Sequence, residues 1–245
     1  MKFIIFAHAR SGSTNLGICL DQHPEIEVIG EPFHQSYQKW HPTERNYIKY
    51  IHDVTSLDLQ LEKIFSVYPG IKTLEYQLTP KLNAHMISRP DIRIIFLQRK
   101  NLLQTMISGV IASRTNIWYQ RVDEENEANL LPGLKPIPVN QIRKEMIALR
   151  NKLNYYSGIL QKRPENTWLN ITYEDLYTSD LSKNLEKLSE IFDFLDLGMP
   201  DVSEISDFLN PEKAKMNSIE TYQQIPNIQE IEQALGNDET GWLFE

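Results

Sequence analysis

Residues 3–15 read FIIFAHARSGSTN, an apolar run that is followed at once by a short polar stretch. The run is short and rich in Ile and Phe, which predicts a buried strand. Gly12 suits a tight loop, and Ser13 and Thr14 are residue types that often begin a helix. The sequence therefore predicts a strand, a loop and a helix in succession. This arrangement directs the free N–H groups and the positive dipole end of the helix towards one point, where a phosphate or sulfate group binds well.

The loop departs from a nucleoside-triphosphate loop at two positions. In the pattern G-x-x-x-x-G-K-[ST], Ala7 stands in place of the first glycine and Ser13 in place of the lysine, whereas Gly12 and Thr14 match. Because that lysine reaches the β and γ phosphates, a loop without it is poorly suited to transfer from a triphosphate. Arg10 offers a planar guanidinium that suits a tetrahedral oxyanion. The loop predicts a site for a small anion that needs no metal ion.

Short apolar runs alternate with helical patterns along the rest of the chain. Four more runs predict buried strands: EIEVIG (25–30), GIKTLEY (70–76), RIIFLQ (93–98) and TWLNITY (167–173). Apolar residues at three-to-four spacing predict helices over 14–22, 57–68, 101–119, 141–163 and 182–195. We expect an α/β fold of three layers, α/β/α, with a mostly parallel sheet of roughly five strands. Ligands of such sheets bind at the carboxyl ends of the strands.

Two segments interrupt this alternation. Residues 35–54 are rich in His, Tyr, Trp and Lys, and residues 121–140 are acidic and then proline-rich. A loop of about twenty residues is unusual inside a domain unless it is a lid, a binding loop or disordered. We expect a single domain over 1–245 with these two segments as substrate-selecting insertions, and a plain surface excursion is the alternative for the second.

Composition limits the classes of partner and site. The net charge of −8 argues against binding to nucleic acid or to an acidic membrane surface. No apolar stretch approaches the roughly 20 residues of a membrane span, and the first run is too short for a secretory signal, which favours a cytoplasmic protein. The single cysteine, Cys19, excludes an internal disulfide and lies in a helical pattern as a core residue. The six histidines lack metal-ligand spacing, so we expect no metal site. Nothing in the sequence indicates an oligomeric state.

Five stretches together resemble the sulfotransferases that use 3′-phosphoadenosine 5′-phosphosulfate, especially their bacterial and carbohydrate-modifying branches. ARSGSTNL (9–16) is similar to the family's 5′-phosphosulfate loop, and IIFLQRKNLLQTMIS (94–108) resembles its 3′-phosphate motif. The other three are GEPF (30–33), similar to an acidic motif, GIKTLEYQL (70–78), similar to a strand that begins Gly-x-Lys, and ITYEDL (171–176), similar to a Tyr-Glu-Asp-Leu box. They follow the family's order over most of residues 2–197, and TGWLF (240–244) is a weaker match to the family.

The resemblance implies a P-loop nucleotide-hydrolase-like sulfotransferase fold and a set of donor-binding residues. Arg99 follows a predicted strand, and Ser108 lies nine residues further on, one more than the commonest family spacing. Nine residues are about two and a half helical turns, which allows both side chains to reach one phosphate. The implied product of the donor is adenosine 3′,5′-bisphosphate. The implied donor-binding residues are Arg10, Ser11, Gly12, Ser13, Thr14, Asn15, Arg99 and Ser108.

The general base has to be sought among several candidates. Family members that act on small phenols carry Lys-Thr-His after a central strand, where this chain has KTL (72–74). We therefore favour Glu31 of GEPF as the base, with His34 and His8 in reserve, and Lys72 as a group that steadies the reacting oxygens. A turn role for Glu31 and a sheet-edge role for Lys72 are the structural alternatives.

The implied function is transfer of a sulfuryl group to the hydroxyl of a carbohydrate, a lipid or a small metabolite, without a metal ion. A P-loop kinase or nucleotide hydrolase, disfavoured by Ser13 in place of the lysine, is one alternative. A non-catalytic nucleotide-binding relative is the other, because the usual histidine is missing.

Overall fold

The computed structural model describes residues 1–118, 134–210 and 219–244, and the predicted segment 121–140 lies outside it as far as residue 133. Five parallel strands form one sheet in the order β2-β3-β1-β4-β5. The strands are β1 (Phe3–Ala7), β2 (Val28–Gly30), β3 (Gly70–Leu74), β4 (Arg93–Gln98) and β5 (Trp168–Thr172). All five predicted strands are confirmed. Strands β2 and β3 lie on one side of β1, and β4 and β5 lie on the other. The loop after β1 is therefore at the switch point where open parallel sheets bind ligands.

Helices cover both faces of the sheet. They are α1 (Ser13–Asp21), α2 (Tyr37–Trp40), α3 (Val54–Phe65), α4 (Pro80–Ser88), α5 (Leu102–Thr115), α6 (Val139–Leu160), α7 (Tyr173–Leu176), α8 (Leu181–Phe194), α9 (Val202–Leu209), α10 (Ile219–Gln223) and α11 (Ile228–Leu235). On one face of the sheet, Ile4 and Phe6 pack in a core with α3–α6, α10 and α11. On the other face, Phe3 and Ile5 pack in a second core with α1, α8 and α9. The predicted three-layer α/β/α architecture is confirmed.

Several helix boundaries differ from the predicted ones for local reasons. The predicted helix 57–68 begins at Val54, because the Asp53 side chain accepts from the backbone N–H of Ser56 and forms a capping box. The predicted helix 101–119 ends at Thr115, where Asn116 takes a left-handed conformation with φ 59°. Helix α6 begins at Val139 rather than 141, so the last two residues of the predicted 121–140 loop are helical.

The predicted insertion 35–54 is partly ordered, because it contains α2 and a 3₁₀ turn, Ile48–Tyr50. Tyr37 anchors it in the core at 1% exposure. Helix α4 was not predicted, although Thr79 caps it and Pro80 occupies its first turn, the usual signs of a helix start. Among the described residues, no helix has the length and apolar character needed to cross a membrane.

Candidate active site

The loop between β1 and α1 has a fixed, strained conformation. Arg10 and Gly12 both have positive φ, 64° and 81°. A Cβ at Gly12 would lie 2.5 Å from the Tyr177 ring, so only glycine fits there. The Tyr177 hydroxyl donates to the Gly12 carbonyl over 2.8 Å, and the Ser11 hydroxyl donates to the His8 carbonyl over 2.8 Å. The loop is therefore held by its own Ser11 hydroxyl and by Tyr177, which lies between α7 and α8. Helix α1 starts directly after the loop.

His8 links this loop to the end of β4. Its Nδ1 lies 2.8 Å from the Ala9 carbonyl, and its Nε2 accepts from the backbone N–H of Arg99 over 2.9 Å. A carbonyl only accepts, so the ring proton lies on Nδ1. Burial lowers the pKa of His8 to about 4, and the nearby Arg99 charge acts in the same direction. Both ring nitrogens are occupied by backbone, which leaves none for a substrate and argues against His8 as a reserve base.

The depressed pKa of His8 predicts a loss of stability in acid. Between pH 6.5 and about 4 the unfolded chain binds a proton at this ring while the folded ring stays neutral, so falling pH favours unfolding. We expect His8 to contribute roughly 3 kcal/mol to this loss of unfolding free energy. His8→Gln, whose side-chain oxygen can accept from Arg99, should lose correspondingly less over the same interval, measured by urea unfolding. Equal pH dependence in both proteins would contradict the assignment.

Arg99 is a buried cation with neutral partners. Its guanidinium donates to the Arg10 carbonyl over 3.3 Å and to the Gln104 side-chain oxygen, and its carbon lies 4.3 Å from the centroid of the Tyr173 ring. Its Nε has no partner in the described structure, and no carboxylate of the described residues pairs with it. Burial of a charge is costly unless it is paired, so this arrangement is suited to an anionic ligand.

Arg10 and Ser108 meet beside Arg99. The Arg10 Nε donates to the Ser108 hydroxyl over 2.9 Å, and its Nη1 donates to the Trp118 carbonyl over 2.6 Å. Burial, and then the neighbouring Arg99 charge, lower the pKa of the Arg10 guanidinium. The guanidinium groups of two distant loops and a hydroxyl of α5 therefore converge, and the positive charges favour an anion at this place.

A cavity of about 840 Å³ opens at this edge of the sheet. Ser11, a member of the predicted donor set, does not line it, because its buried hydroxyl donates to the His8 carbonyl inside the loop. Apart from His8, the other predicted residues line it: Arg10, Gly12, Ser13, Thr14, Asn15, Glu31, His34, Lys72, Arg99 and Ser108. The structure thus brings together candidates that are separated by up to about a hundred residues of sequence.

Glu31 and Lys72 form an ion pair on the cavity wall. The buried Lys72 ammonium contacts Glu31 Oε1, and the Gln77 amide donates to Oε2 over 2.6 Å. The Gln77 oxygen in turn accepts from the backbone N–H of Leu74 over 3.3 Å, and because that group can only donate, the contact fixes the direction of the amide. Gln77 was missed by the sequence analysis, since only its spatial position beside Glu31 reveals this contact.

An aromatic surface continues the wall beyond Glu31. The His34 ring stacks on Trp40 with centroids 4.5 Å apart, and Tyr76 meets it edge-on at 6.2 Å. His34 Nδ1 accepts from the backbone N–H of Ser36 over 3.0 Å. Ser36, Trp40 and Tyr76 line the cavity, so part of the predicted substrate-selecting segment 35–54 does face it.

The YEDL box and the C-terminal stretch support the site from behind. Glu174 accepts from the backbone N–H groups of Lys100 and Asn101 over 2.9 and 3.0 Å, which ties α7 to the start of α5. The Asn101 amide donates to the Trp242 carbonyl over 2.7 Å, so TGWLF packs on the same helix start. The described residues contain no group of three or more His, Cys, Asp or Glu side chains able to hold a metal ion.

No protein-family model and no curated protein matches this chain. Among solved structures, the sulfotransferase domain from the curacin biosynthetic pathway is similar at 17% identity and a TM-score of 0.50, over 96% of each chain. A sulfotransferase from Alicyclobacillus acidocaldarius is similar at 14% identity and a TM-score of 0.47, over 96% of this chain and 93% of that one. The likeness to the curacin-pathway domain shows that this chain has the sulfotransferase fold over nearly its whole length.

Proposed function

We propose that this protein is a sulfotransferase that moves a sulfuryl group from 3′-phosphoadenosine 5′-phosphosulfate to an acceptor hydroxyl. The observation that carries the proposal is the buried Arg99 guanidinium, whose partners among the described residues are neutral, beside Arg10 in a cavity at the start of α1. The donor has a phosphosulfate at one end and a phosphate at the other. The buried Arg99, the half-buried Arg10 and a helix N-terminus supply positive potential for both ends.

The two arginine motifs divide the donor between them in this proposal. The first-turn N–H groups of α1, from Ser13 to Asn15, and Arg10 hold the phosphosulfate end. Arg99 and Ser108 hold the 3′-phosphate. When bound, the donor supplies a sulfuryl group attached to a phosphate that leaves as an anion. Arg10 and the α1 dipole stabilise negative charge at that end of the site, where transfer chemistry depends on electrostatics and positioning.

Glu31 is the proposed general base. It accepts the proton of the acceptor hydroxyl as that oxygen forms its bond to sulfur, and Lys72 keeps the carboxylate in place and balances its charge. His34 is less suited, because its Nδ1 already accepts a hydrogen bond. In the neutral ring the proton then lies on Nε2, which donates rather than accepts.

The proposal is tested first by binding. We expect calorimetry with the purified protein to show binding of adenosine 3′,5′-bisphosphate without added magnesium, and binding of adenosine to be at least about 100-fold weaker, because the phosphates meet the arginines. Absence of binding to both the bisphosphate and the donor would overturn the proposal. Magnesium-dependent turnover of ATP would instead support the kinase alternative.

A further inference from the structure

Helix α10 brings a tyrosine from the C-terminal part of the chain into the cavity. Tyr222 is 1% exposed and lines the cavity beside Arg10, Arg99 and Tyr173. None of the sequence motifs includes it. Burial raises the pKa of Tyr222, so its hydroxyl keeps its proton at neutral pH.

The Tyr222 hydroxyl is placed to act as a second donor beside Arg99. The Arg99 guanidinium interacts electrostatically with Tyr222 and can only donate, so it offers no acceptor for the phenolic proton. The Arg99 Nε–H is buried and has no partner among the described residues. A buried donor without an acceptor and a neighbouring phenol on the wall of the same cavity indicate a ligand that accepts from both.

We propose that Tyr222 donates to the phosphate group bound by Arg99, which is the 3′-phosphate of the donor and of its product. This inference rests on the proposed function, because it assigns the Arg99 end of the cavity to that phosphate. Phosphate recognition would thus be completed by α10, more than a hundred residues after Arg99.

The test compares two nucleotides that differ only in the 3′-phosphate. We expect Tyr222→Phe to lower the affinity for adenosine 3′,5′-bisphosphate about tenfold or more, as the loss of a hydrogen bond to a charged group does. The affinity for adenosine 5′-phosphate should not change. The matched control is Tyr156→Phe, which removes a buried hydroxyl that accepts from Asn83 over 3.1 Å and does not line the cavity. It should leave both affinities unchanged.

A second measurement uses the wild-type chain. Hydrogen exchange of the amides of α10 should slow when the bisphosphate is bound and should slow less with the 5′-phosphate at equal saturation. If the wild type binds neither nucleotide, the proposed function fails and this inference with it. If the wild type binds the bisphosphate and Tyr222→Phe binds it equally, only the inference fails. An equal loss for both nucleotides would also overturn it, because Tyr222 would then serve the shared part of the ligand or the fold.

Discussion

Replacing Arg99 with methionine is expected to weaken binding of adenosine 3′,5′-bisphosphate at least about 100-fold, or roughly 3 kcal/mol. Methionine retains much of the apolar length of the side chain and removes the guanidinium, which lies over the Tyr173 ring. The phosphate then loses a cation in a site that is shielded from water, where charge-assisted hydrogen bonds are strong. Arg99→Lys should recover part of the affinity, since it restores the charge without the planar fork. Calorimetry on the three proteins measures the effect.

Arg163→Met is the matched control for Arg99→Met. Arg163 is also a buried arginine, but its guanidinium donates to the carbonyls of Ile87 and Ile92, each over 2.6 Å, near the start of β4. We expect this variant to unfold at lower urea concentration and to keep the wild-type affinity for the bisphosphate. If Arg99→Met binds as tightly as the wild type, or if both variants lose affinity equally, the anion site does not depend on Arg99.

The contrast between these two arginines explains how the structure indicates a ligand. Arg163 is satisfied by backbone carbonyls that the fold itself supplies, among them those of Ile87, Arg89 and Ile92. Within the part of the chain that the structure describes, the buried Arg99 Nε has no acceptor, and Arg99 lies at the edge of the sheet where ligands bind. In the printed sequence both are single arginines next to apolar runs. Only the number and kind of acceptors around each separates a structural arginine from one suited to an anion.

The sequence predicted the sheet well for a physical reason. Strands buried on both faces read as apolar runs, and parallel strands end at one edge, so polar residues that follow them, such as Glu31 and Arg99, are expected in the same place. Gln77 and Tyr222 were missed, because their roles depend on where a turn or a late helix returns in space. Helix α4 was missed because its few apolar residues form a weak pattern.

The backbone at Glu31 was also beyond the reach of sequence reasoning. Its φ is 56°, a left-handed conformation that non-glycine residues adopt rarely and that often accompanies a functional site. The Glu31 N–H donates to the Lys72 carbonyl over 2.7 Å, and Lys72 and Gln77 hold its two oxygens. The carboxylate is therefore fixed at the cavity wall by contacts from β3 and the residues that follow it, as a positioned base requires.

Glu31→Gln is expected to lower the transfer rate about 100-fold or more, the usual contribution of a general base. The amide keeps the size of the side chain and cannot take up the hydroxyl proton. Binding of adenosine 3′,5′-bisphosphate should be unchanged, because the arginines that hold it are untouched. Transfer is measured with radiolabelled donor and a panel of sugar, lipid, alcohol and phenol acceptors. A wild type that binds the donor and transfers to none of them would favour the non-catalytic alternative.

The matched control is Glu75→Gln, which alters the buried glutamate that follows β3. Glu75 pairs with Lys152 over 3.2 Å and does not line the cavity, so its replacement should leave transfer unchanged.

The way in which the loss of transfer in Glu31→Gln depends on the acceptor gives a sharper test of the base. The loss in Glu31→Gln should be large for alcohols and small for a nitrophenol that is already partly ionised at neutral pH, because an ionised acceptor needs no base. An equal loss for both acceptors would show that Glu31 positions the ligands and does not take the proton.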